Sequence, residues 1–193
     1  MRETTNVMIV GVGGQGTLLA SKTLGKLLVS EGYDVKVSEV HGMSQRGGSV
    51  VTYVRFGEKV YSPIIDKGGA DYILSFEKLE AARWLEYLKP DGQIITNLHE
   101  TEPMPVITGA MKYPENLVEK MEALGAKVDA IDALKLAEEA GNSKAVNLVL
   151  MGRLSRYFDS LGIDEAAWIR AIEACVPPKF LELNKKAFAL GRK

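Results

Sequence analysis

Two glycine-rich segments contain the residues whose types and spacing could bind an anionic ligand. The first has the Gly-x-Gly-x-x-Gly spacing, directly after an apolar run and before a helical pattern. At this spacing glycine allows a tight turn, lets backbone amides approach a diphosphate, and lets helix and strand pack closely. The free amides and the positive end of the helix dipole would then favour an anion. The candidate ligand-binding residues of this loop are Gly11, Gly13, Gly14, Gln15 and Gly16.

Two interpretations of the first loop remain open. Glu39, at the end of the second predicted strand, stands where dinucleotide-binding folds place an acid for ribose hydroxyls. The alternative is that the glycines only allow a close turn and that Glu39 is a solvated carboxylate. Gly14 and Gln15 also depart from the usual apolar filling of such a turn. The loop is therefore compatible with a nucleotide, a different ligand, or none.

The second segment, residues 41–48, follows the second predicted strand. It offers an imidazole, a hydroxyl, an amide and a guanidinium on a glycine-rich backbone, a combination that can hold a phosphate or carboxylate. Its candidate residues are His41, Gly42, Ser44, Gln45, Arg46 and Gly47. The alternative is an ordinary polar loop in which Arg46 pairs with Glu39 and His41 caps a strand. Because ligands of open α/β sheets gather at the carboxyl ends of the strands, we expect both segments at one rim of the sheet.

The elements that must position these loops begin with a strand–helix–strand unit. A strand over 7–10, a helix over 18–28 and a strand over 35–40 predict two parallel strands joined by a right-handed crossover. Residues 49–56 alternate in polarity, which predicts a half-buried strand. A two-residue turn after it predicts an antiparallel hairpin with residues 59–62.

The remaining pattern resumes the alternation of strands and helices. It predicts strands over 71–76, 93–98, 103–108 and 127–131, helices over 77–88 and 114–124, and a helical chain from 132 onward. The fold class is therefore α/β: a single Rossmann-like layered domain over residues 1–193, with a mostly parallel sheet, an antiparallel hairpin and a helical C-terminal third.

Composition excludes several classes of function. A net charge of −1, with both signs spread along the chain, offers no footprint for nucleic acid or anionic membranes. Cys175 is the only cysteine, so the chain cannot supply the thiolates of an iron–sulfur cluster. The polar start and the glycine-broken apolar run predict neither a signal sequence nor a membrane span, and we expect a cytoplasmic protein.

Taken together, Gly11–Gly16 and the run from Glu39 to Val50 resemble the gamma-type domain of 2-oxoacid:ferredoxin oxidoreductases. Within that family, the form with His41, Gly42 and Met43 looks most like the indolepyruvate branch. The resemblance implies an assembly that decarboxylates a 2-oxoacid on thiamine diphosphate, passes electrons through iron–sulfur clusters to ferredoxin and releases an acyl-coenzyme A.

The resemblance also implies a division of labour. Thiamine diphosphate and the clusters are expected on a larger partner subunit, and ferredoxin is reached through the complex. This chain is expected to bind no cofactor firmly, with coenzyme A as the one candidate, to contribute no catalytic or metal-binding residue, and to be inactive alone. Two alternatives stay open: a stand-alone NAD(P)-dependent reductase, and a purely structural docking subunit.

Two further polar residues, His99 and Asn147, lie outside the glycine segments. His99 is interpreted as a surface histidine without a catalytic role. Asn147 lies on an otherwise apolar helix face, and a buried amide must find a partner. We expect Asn147 to contact the glycine loops or a neighbouring subunit.

Overall fold

A computed structural model describes residues 3–42 and 47–193, with only the backbone of His41. A six-stranded sheet in the order β2-β3-β1-β4-β5-β6 forms its centre. The strands are β1 (Thr5–Val12), β2 (Asp34–His41), β3 (Ser49–Gly57), β4 (Ala70–Ser75), β5 (Leu88–Asn97) and β6 (Lys127–Ile131). The α-helices are α1 (Thr17–Ser30), α2 (Lys78–Arg83), α3 (Met104–Ile107), α4 (Leu117–Ala123), α5 (Ala133–Ala140), α6 (Val146–Phe158), α7 (Glu165–Cys175) and α8 (Leu181–Arg192).

The α/β class, the mostly parallel sheet and the helical C-terminal third are confirmed. Strands β1, β4, β5 and β6 pair in parallel, whereas β3 is antiparallel to both of its neighbours, β1 and β2. The predicted parallel direction of β1 and β2 is also confirmed, but the two strands do not pair, because β3 lies between them.

The position of β3 follows from its burial. Seven of its nine residues are buried, and they face both sides of the sheet. An interior strand provides that environment, since Val54 and Phe56 belong to the core on one face of the sheet and Val51 and Tyr53 to the core on the other. By contrast, Val37, Glu39 and Val40 on β2 are exposed, as suits an edge strand.

The predicted hairpin with residues 59–62 is wrong. This stretch is a loop that folds back along the sheet instead of pairing with β3. The Arg55 guanidinium Nη1 donates to the carbonyl oxygens of Ser62 and Ile64, at 2.9 and 2.8 Å. The backbone N–H of Val60 donates to Asp34 Oδ2 at 2.8 Å, and the Val60 side chain is buried. These contacts satisfy the backbone without a strand partner.

Proline explains another difference. The predicted strand over 103–108 is the short helix α3, which begins after Pro103 and has Pro105 in its first turn. Proline lacks an N–H, so it cannot donate to a sheet ladder, but at the start of a helix that donor is not needed.

The helix predicted over 77–88 is shorter than expected. It ends at Arg83, and a 3₁₀ turn (Leu85–Tyr87) leads from it into β5.

Helices pack on both faces of the sheet. Alternate residues of β1 divide between two cores: Val7 and Ile9 pack with α1 and the C-terminal helices, while Met8 and Val10 pack with the layer that contains α2 and α4. Two further 3₁₀ turns, Ser143–Ala145 and Asp159–Leu161, flank α6, and a third, Pro178–Phe180, precedes α8. This arrangement leaves the carboxyl ends of β1, β4 and β5 open between the two helix layers.

No helix within the described residues is long and apolar enough to cross a membrane. Within residues 3–42 and 47–193, no three His, Cys, Asp or Glu side chains are grouped so that they could hold a metal ion.

Candidate functional site

The described parts of the two glycine segments meet at one rim of the sheet, as predicted. Val12, at the end of β1, pairs with Ser49, at the start of β3. Beyond that pair, the Gly13 N–H donates to the Gly48 carbonyl at 2.9 Å, and the Gly47 N–H donates to the Gly13 carbonyl at 3.4 Å. The ladder therefore extends from the strands into both loops.

The structure describes only part of the second glycine segment. The backbone of His41 ends β2, and Gly42 is exposed. Ser44, Gln45 and Arg46 lie outside the described residues. Their predicted role in ligand binding, like that of the whole set of candidate residues, remains a prediction.

Gln15 fills the turn of the first loop. Its Oε1 accepts the Val12 N–H at 2.8 Å, and the Gln15 N–H donates to the Val12 carbonyl at 3.2 Å. A Cβ on Gly11 would lie 2.8 Å from that same Oε1, so glycine is needed there for close approach. The amides of Val12, Gly13 and Gln15 are thus used within the chain. Those of Gly14 and Gly16 donate to no other group in the described part of the protein.

The start of α1 is free of a side-chain cap. Gly16 is its N-cap residue, with φ of 89°, and no side chain hydrogen-bonds to the first turn. Asn147 on α6 lies against this point: it is 4% exposed, its Oδ1 accepts the Leu148 N–H, and a Cβ on Gly16 would lie 3.1 Å from its Nδ2. The prediction that Asn147 contacts a glycine loop is confirmed.

A cleft of about 450 Å³ opens beside the loop, and we call it the rim cleft. It is lined by Gly14, Gln15, Gly16, Phe76, Asn97, His99, Thr101, Leu134, Ser143, Lys144 and Val146. None of these described lining residues is acidic, whereas Lys144 and the imidazole of His99 lie on its wall. Phe76, Leu134 and Val146 contribute apolar side chains to the same lining. The lining suits a ligand with a negative charge and an apolar body.

Asn97 is the most buried polar group of the rim cleft. It ends β5 and is 2% exposed. Its Oδ1 accepts the Ala133 N–H at 3.1 Å, while its Nδ2 donates to no other group in the described part of the chain. A buried amide with an unused donor is a ready contact for an anionic or carbonyl oxygen.

Glu39 lies in a second cleft, of about 400 Å³, together with Gly13, Gly14 and Gly16. The structure therefore brings it to the same region as the first loop. However, Glu39 pairs with Thr52 of β3, and Thr52 pairs with Ile9 of β1. Two strand spacings, roughly 9.5 Å, separate it from β1, whereas a dinucleotide-binding fold has its acid on the adjacent strand.

Two buried carboxyl groups, Glu77 and Glu80, lie directly after β4 and were not predicted from the sequence. Glu77 accepts the Glu80 N–H at 2.9 Å and the hydroxyl of Tyr113. Glu80 accepts the hydroxyl of Ser49, at the start of β3, and lies 3.4 Å from the Arg83 Nε. Burial raises the pKa of the Glu80 carboxyl above its usual range. Their place after an apolar strand, at the edge where ligands gather, was the signal that could have found them.

Comparison with known proteins gives a consistent result. The family profile "Pyruvate ferredoxin/flavodoxin oxidoreductase" matches residues 6–193. Indolepyruvate oxidoreductase subunit IorB of Thermococcus kodakarensis is 47% identical over 193 residues, which are 97% of this chain and 94% of the relative. The IorB of Pyrococcus horikoshii is 45% identical with the same coverage.

Solved structures share the fold. Pyruvate oxidoreductase subunit PORC of Thermotoga maritima has a TM-score of 0.74 at 20% identity, covering 98% of this chain and 95% of that one. A 2-oxoglutarate:ferredoxin oxidoreductase of Magnetococcus marinus has a TM-score of 0.74 at 19% identity; it covers all of this chain, which corresponds to 31% of that longer chain. With the profile match over residues 6–193 and the identity to the IorB subunits, this chain belongs to the pyruvate ferredoxin/flavodoxin oxidoreductase family.

Proposed function

We propose that this chain is the small, cluster-free subunit of a cytoplasmic 2-oxoacid:ferredoxin oxidoreductase of the indolepyruvate type. Residues 1–193 act as one gamma-type domain that completes an assembly with a larger subunit, which carries thiamine diphosphate and iron–sulfur clusters. The assembly oxidatively decarboxylates an aryl pyruvate to its acyl-coenzyme A and reduces ferredoxin. The observation that carries the proposal is the 47% identity to an IorB subunit, because the similarity extends over 94% of that relative.

The rim cleft is where coenzyme A would reach this chain. Bound coenzyme A supplies the thiol that accepts the acyl group. Its phosphates fit a lining without acidic side chains, beside the uncapped start of α1 and the Lys144 ammonium. The unused Nδ2 of Asn97 would contact one of its polar oxygens. The charge and the hydrogen-bond donors of the lining therefore suit coenzyme A.

A stand-alone NAD(P)-dependent reductase is a weaker candidate. Its diphosphate would need the amides of the first loop, and those of Val12, Gly13 and Gln15 already donate within the chain. Its ribose would need an acid on the strand beside β1, but β3 occupies that place. Both observations favour a first loop that hydrogen-bonds to the second glycine segment over one that binds a dinucleotide.

An exposed apolar residue at the rim supports a partner subunit. Leu18, in the first turn of α1, is 66% exposed and lies in the same cleft as Glu39. Val37 is exposed on the same face of β2 as Glu39. Large apolar side chains near a ligand-gathering edge are typical of a surface that another protein covers.

The first experiment tests the assembly. The chain is co-expressed with the larger subunit of its own organism and purified through a tag on this chain. We expect an iron–sulfur- and thiamine-containing complex that reduces ferredoxin when supplied with indolepyruvate and coenzyme A. A tagged chain that purifies alone, with the larger subunit fully active in the flow-through, would contradict the proposal.

The second experiment tests the ligand. Calorimetry of the full chain with coenzyme A, NADH and NADPH is expected to show binding of coenzyme A only. Lys144→Glu should weaken that binding about tenfold, because it places a negative charge on the cleft wall. Lys120→Glu, on the exposed side of α4, is the matched control and should bind as the unaltered chain does. Binding and turnover of a nicotinamide cofactor would favour the reductase, and no binding at all would favour pure docking.

A further inference from the structure

Residues 98–113, which we call the strap, join the end of β5 to the segment before α4. The strap contains no strand, and its helix α3 is only four residues long. The side chains of Met104, Ile107 and Met111 are exposed, so α3 contributes little to the core. Near its start, however, His99 and Thr101 form part of the rim cleft. The strap is thus a wall of the cleft with few apolar contacts to hold it.

Both ends of the strap are attached to a single carboxyl oxygen. The Thr101 N–H donates to Glu77 Oε1 at 3.4 Å, and the Tyr113 hydroxyl donates to the same oxygen. The other oxygen, Oε2, accepts the Glu80 N–H and caps α2. Glu77 is 1% exposed, so little water competes with the strap for its carboxyl group. Burial and the bond to Glu77 raise the pKa of Tyr113, so its phenol remains a donor.

The same contacts continue into the first glycine loop. Thr101 Oγ1 accepts from Gln15 Nε2 at 3.4 Å, and Gln15 Oε1 accepts the Val12 N–H at 2.8 Å. A continuous path of hydrogen bonds therefore runs from Tyr113 through Glu77, Thr101 and Gln15 to Val12. Next to this path, Lys78, which follows Glu77 in the sequence, forms a salt bridge of 2.6 Å from its Nζ to Oε1 of Glu100 in the strap.

We propose that Glu77 is a positioning residue that couples the strap to the first glycine loop and so sets the width of the rim cleft. Its carboxyl group holds Thr101, and Thr101 holds the Gln15 side chain that shapes the turn. Loss of either strap attachment loosens the glycine loop, although neither Tyr113 nor Glu77 has a hydrogen bond to that loop in the described part of the protein. The coupling follows from these contacts alone, whereas its effect on coenzyme A rests on the proposed function.

The test is residue-resolved hydrogen exchange of the full chain by NMR, because the Val12 amide donates to Gln15 itself and reports on the end of the path. Tyr113→Phe removes one attachment and leaves the cap of α2 intact. We expect the amides of Thr101 and Val12 to exchange about tenfold faster, the effect of losing one hydrogen bond to a buried acceptor. The Phe76 amide, which donates to the Val10 carbonyl, is the internal control and should not change.

A matched variant and a double variant separate coupling from general loosening. Thr108→Val removes a strap hydroxyl that bonds only within the strap, to Met104 and Pro105, and should leave Val12 unchanged. Thr101→Val removes the link to Gln15 but keeps the Thr101 N–H on Glu77. In that background, Tyr113→Phe should no longer accelerate Val12, since the path is already interrupted.

Three outcomes would overturn the coupling: faster exchange of the strap with Val12 unchanged in Tyr113→Phe, an equal effect of Thr108→Val on Val12, or additive effects of Thr101→Val and Tyr113→Phe. Coenzyme A titrations of the same variants form a separate arm, in which weaker binding by Tyr113→Phe is expected. Should coenzyme A not bind even the unaltered chain, the proposed role of the rim cleft fails. The exchange data would still decide whether Glu77 couples strap and loop.

Discussion

Gly16→Ala tests whether the contact between α1 and Asn147 is as close as the structure has it. At φ of 89° an alanine is strained, at a cost of about 1–2 kcal/mol. Its Cβ would also lie 3.1 Å from Asn147 Nδ2, and crowding of that buried amide adds about 1 kcal/mol. Gly14→Ala is the matched control: its φ is 102°, but its Cβ would meet nothing within 4 Å. It should lose only the backbone contribution.

The assay is thermal unfolding followed by circular dichroism, at one protein concentration. For a chain of this length, each kcal/mol lowers Tm by roughly 2–4 °C, so Gly16→Ala should melt about 3 °C below Gly14→Ala. In an Asn147→Ala background the crowding disappears, and the two glycine substitutions should then cost the same. Equal Tm values for the two single variants, or an extra loss that persists without Asn147, would refute the contact argument.

Three more predictions concern single side chains. Because burial raises the pKa of Glu80, the protonated form stabilises the fold; that stabilisation is complete below the usual glutamate pKa and is lost as pH rises through the raised value. Urea unfolding from about pH 4 to about pH 8 should therefore show the unaltered chain losing stability relative to Glu80→Gln, and parallel curves would contradict this. Burial, and after it the hydrogen bond to Asp129, raises the pKa of Tyr157 to about 12. The protonated phenol therefore contributes its full stabilisation below the usual tyrosine pKa, and this stabilisation is lost as pH rises through the raised pKa. Tyr157→Phe should remove one tyrosinate absorbance transition near that pH, and an unchanged titration would count against the assignment. Arg46→Ala should lower turnover of the reconstituted complex while the circular dichroism spectrum of this chain stays the same, because a loop guanidinium contributes to recognition more than to packing. Unchanged turnover would show that the second glycine segment has no role in the activity of the complex.

The strands that carry the first loop were predictable because local and tertiary preferences agree there. The apolar run before Gly11 is buried on both faces, and the helical pattern after Gly16 packs along the sheet. The meeting of the two loops was predictable as well, since each follows a strand that ends at the same edge. These conclusions needed only periodicity and the rule that ligands of α/β sheets gather at one edge.

The pairing partners of β3 were harder to predict from the sequence. Residues 49–56 alternate in polarity in part, but Val50, Val51, Tyr53 and Val54 are all buried, and this nearly continuous apolar stretch was the sign of an interior strand. The choice between pairing with residues 59–62 and insertion beside β1 depends on contacts between residues far apart in sequence, such as that of the Val60 N–H with the Asp34 carboxylate. Periodicity does not encode such contacts.

The buried carboxyl groups were missed for a related reason. In the sequence, Glu77 and Glu80 resemble an ordinary polar start of an amphipathic helix, where an acidic N-cap is favoured. Only the folded chain shows that residues from the strap and from β3 arrive at them, through Tyr113, Thr101 and Ser49. Positioning networks of this kind are built from residues far apart in sequence, so they become visible only with tertiary structure.

The insertion of β3 explains why a dinucleotide spacing is present without dinucleotide geometry. An antiparallel strand beside β1 brings Gly47 and Gly48 alongside the first loop, and their backbone groups pair with those of Gly13. The same strand moves Glu39 one position further from β1. One change in strand order therefore uses a loop amide that a diphosphate would need and displaces the acid that a ribose would need. The glycines are then required for close approach between two loops, and the open side of the rim is left to the cleft formed with Asn97 and Lys144.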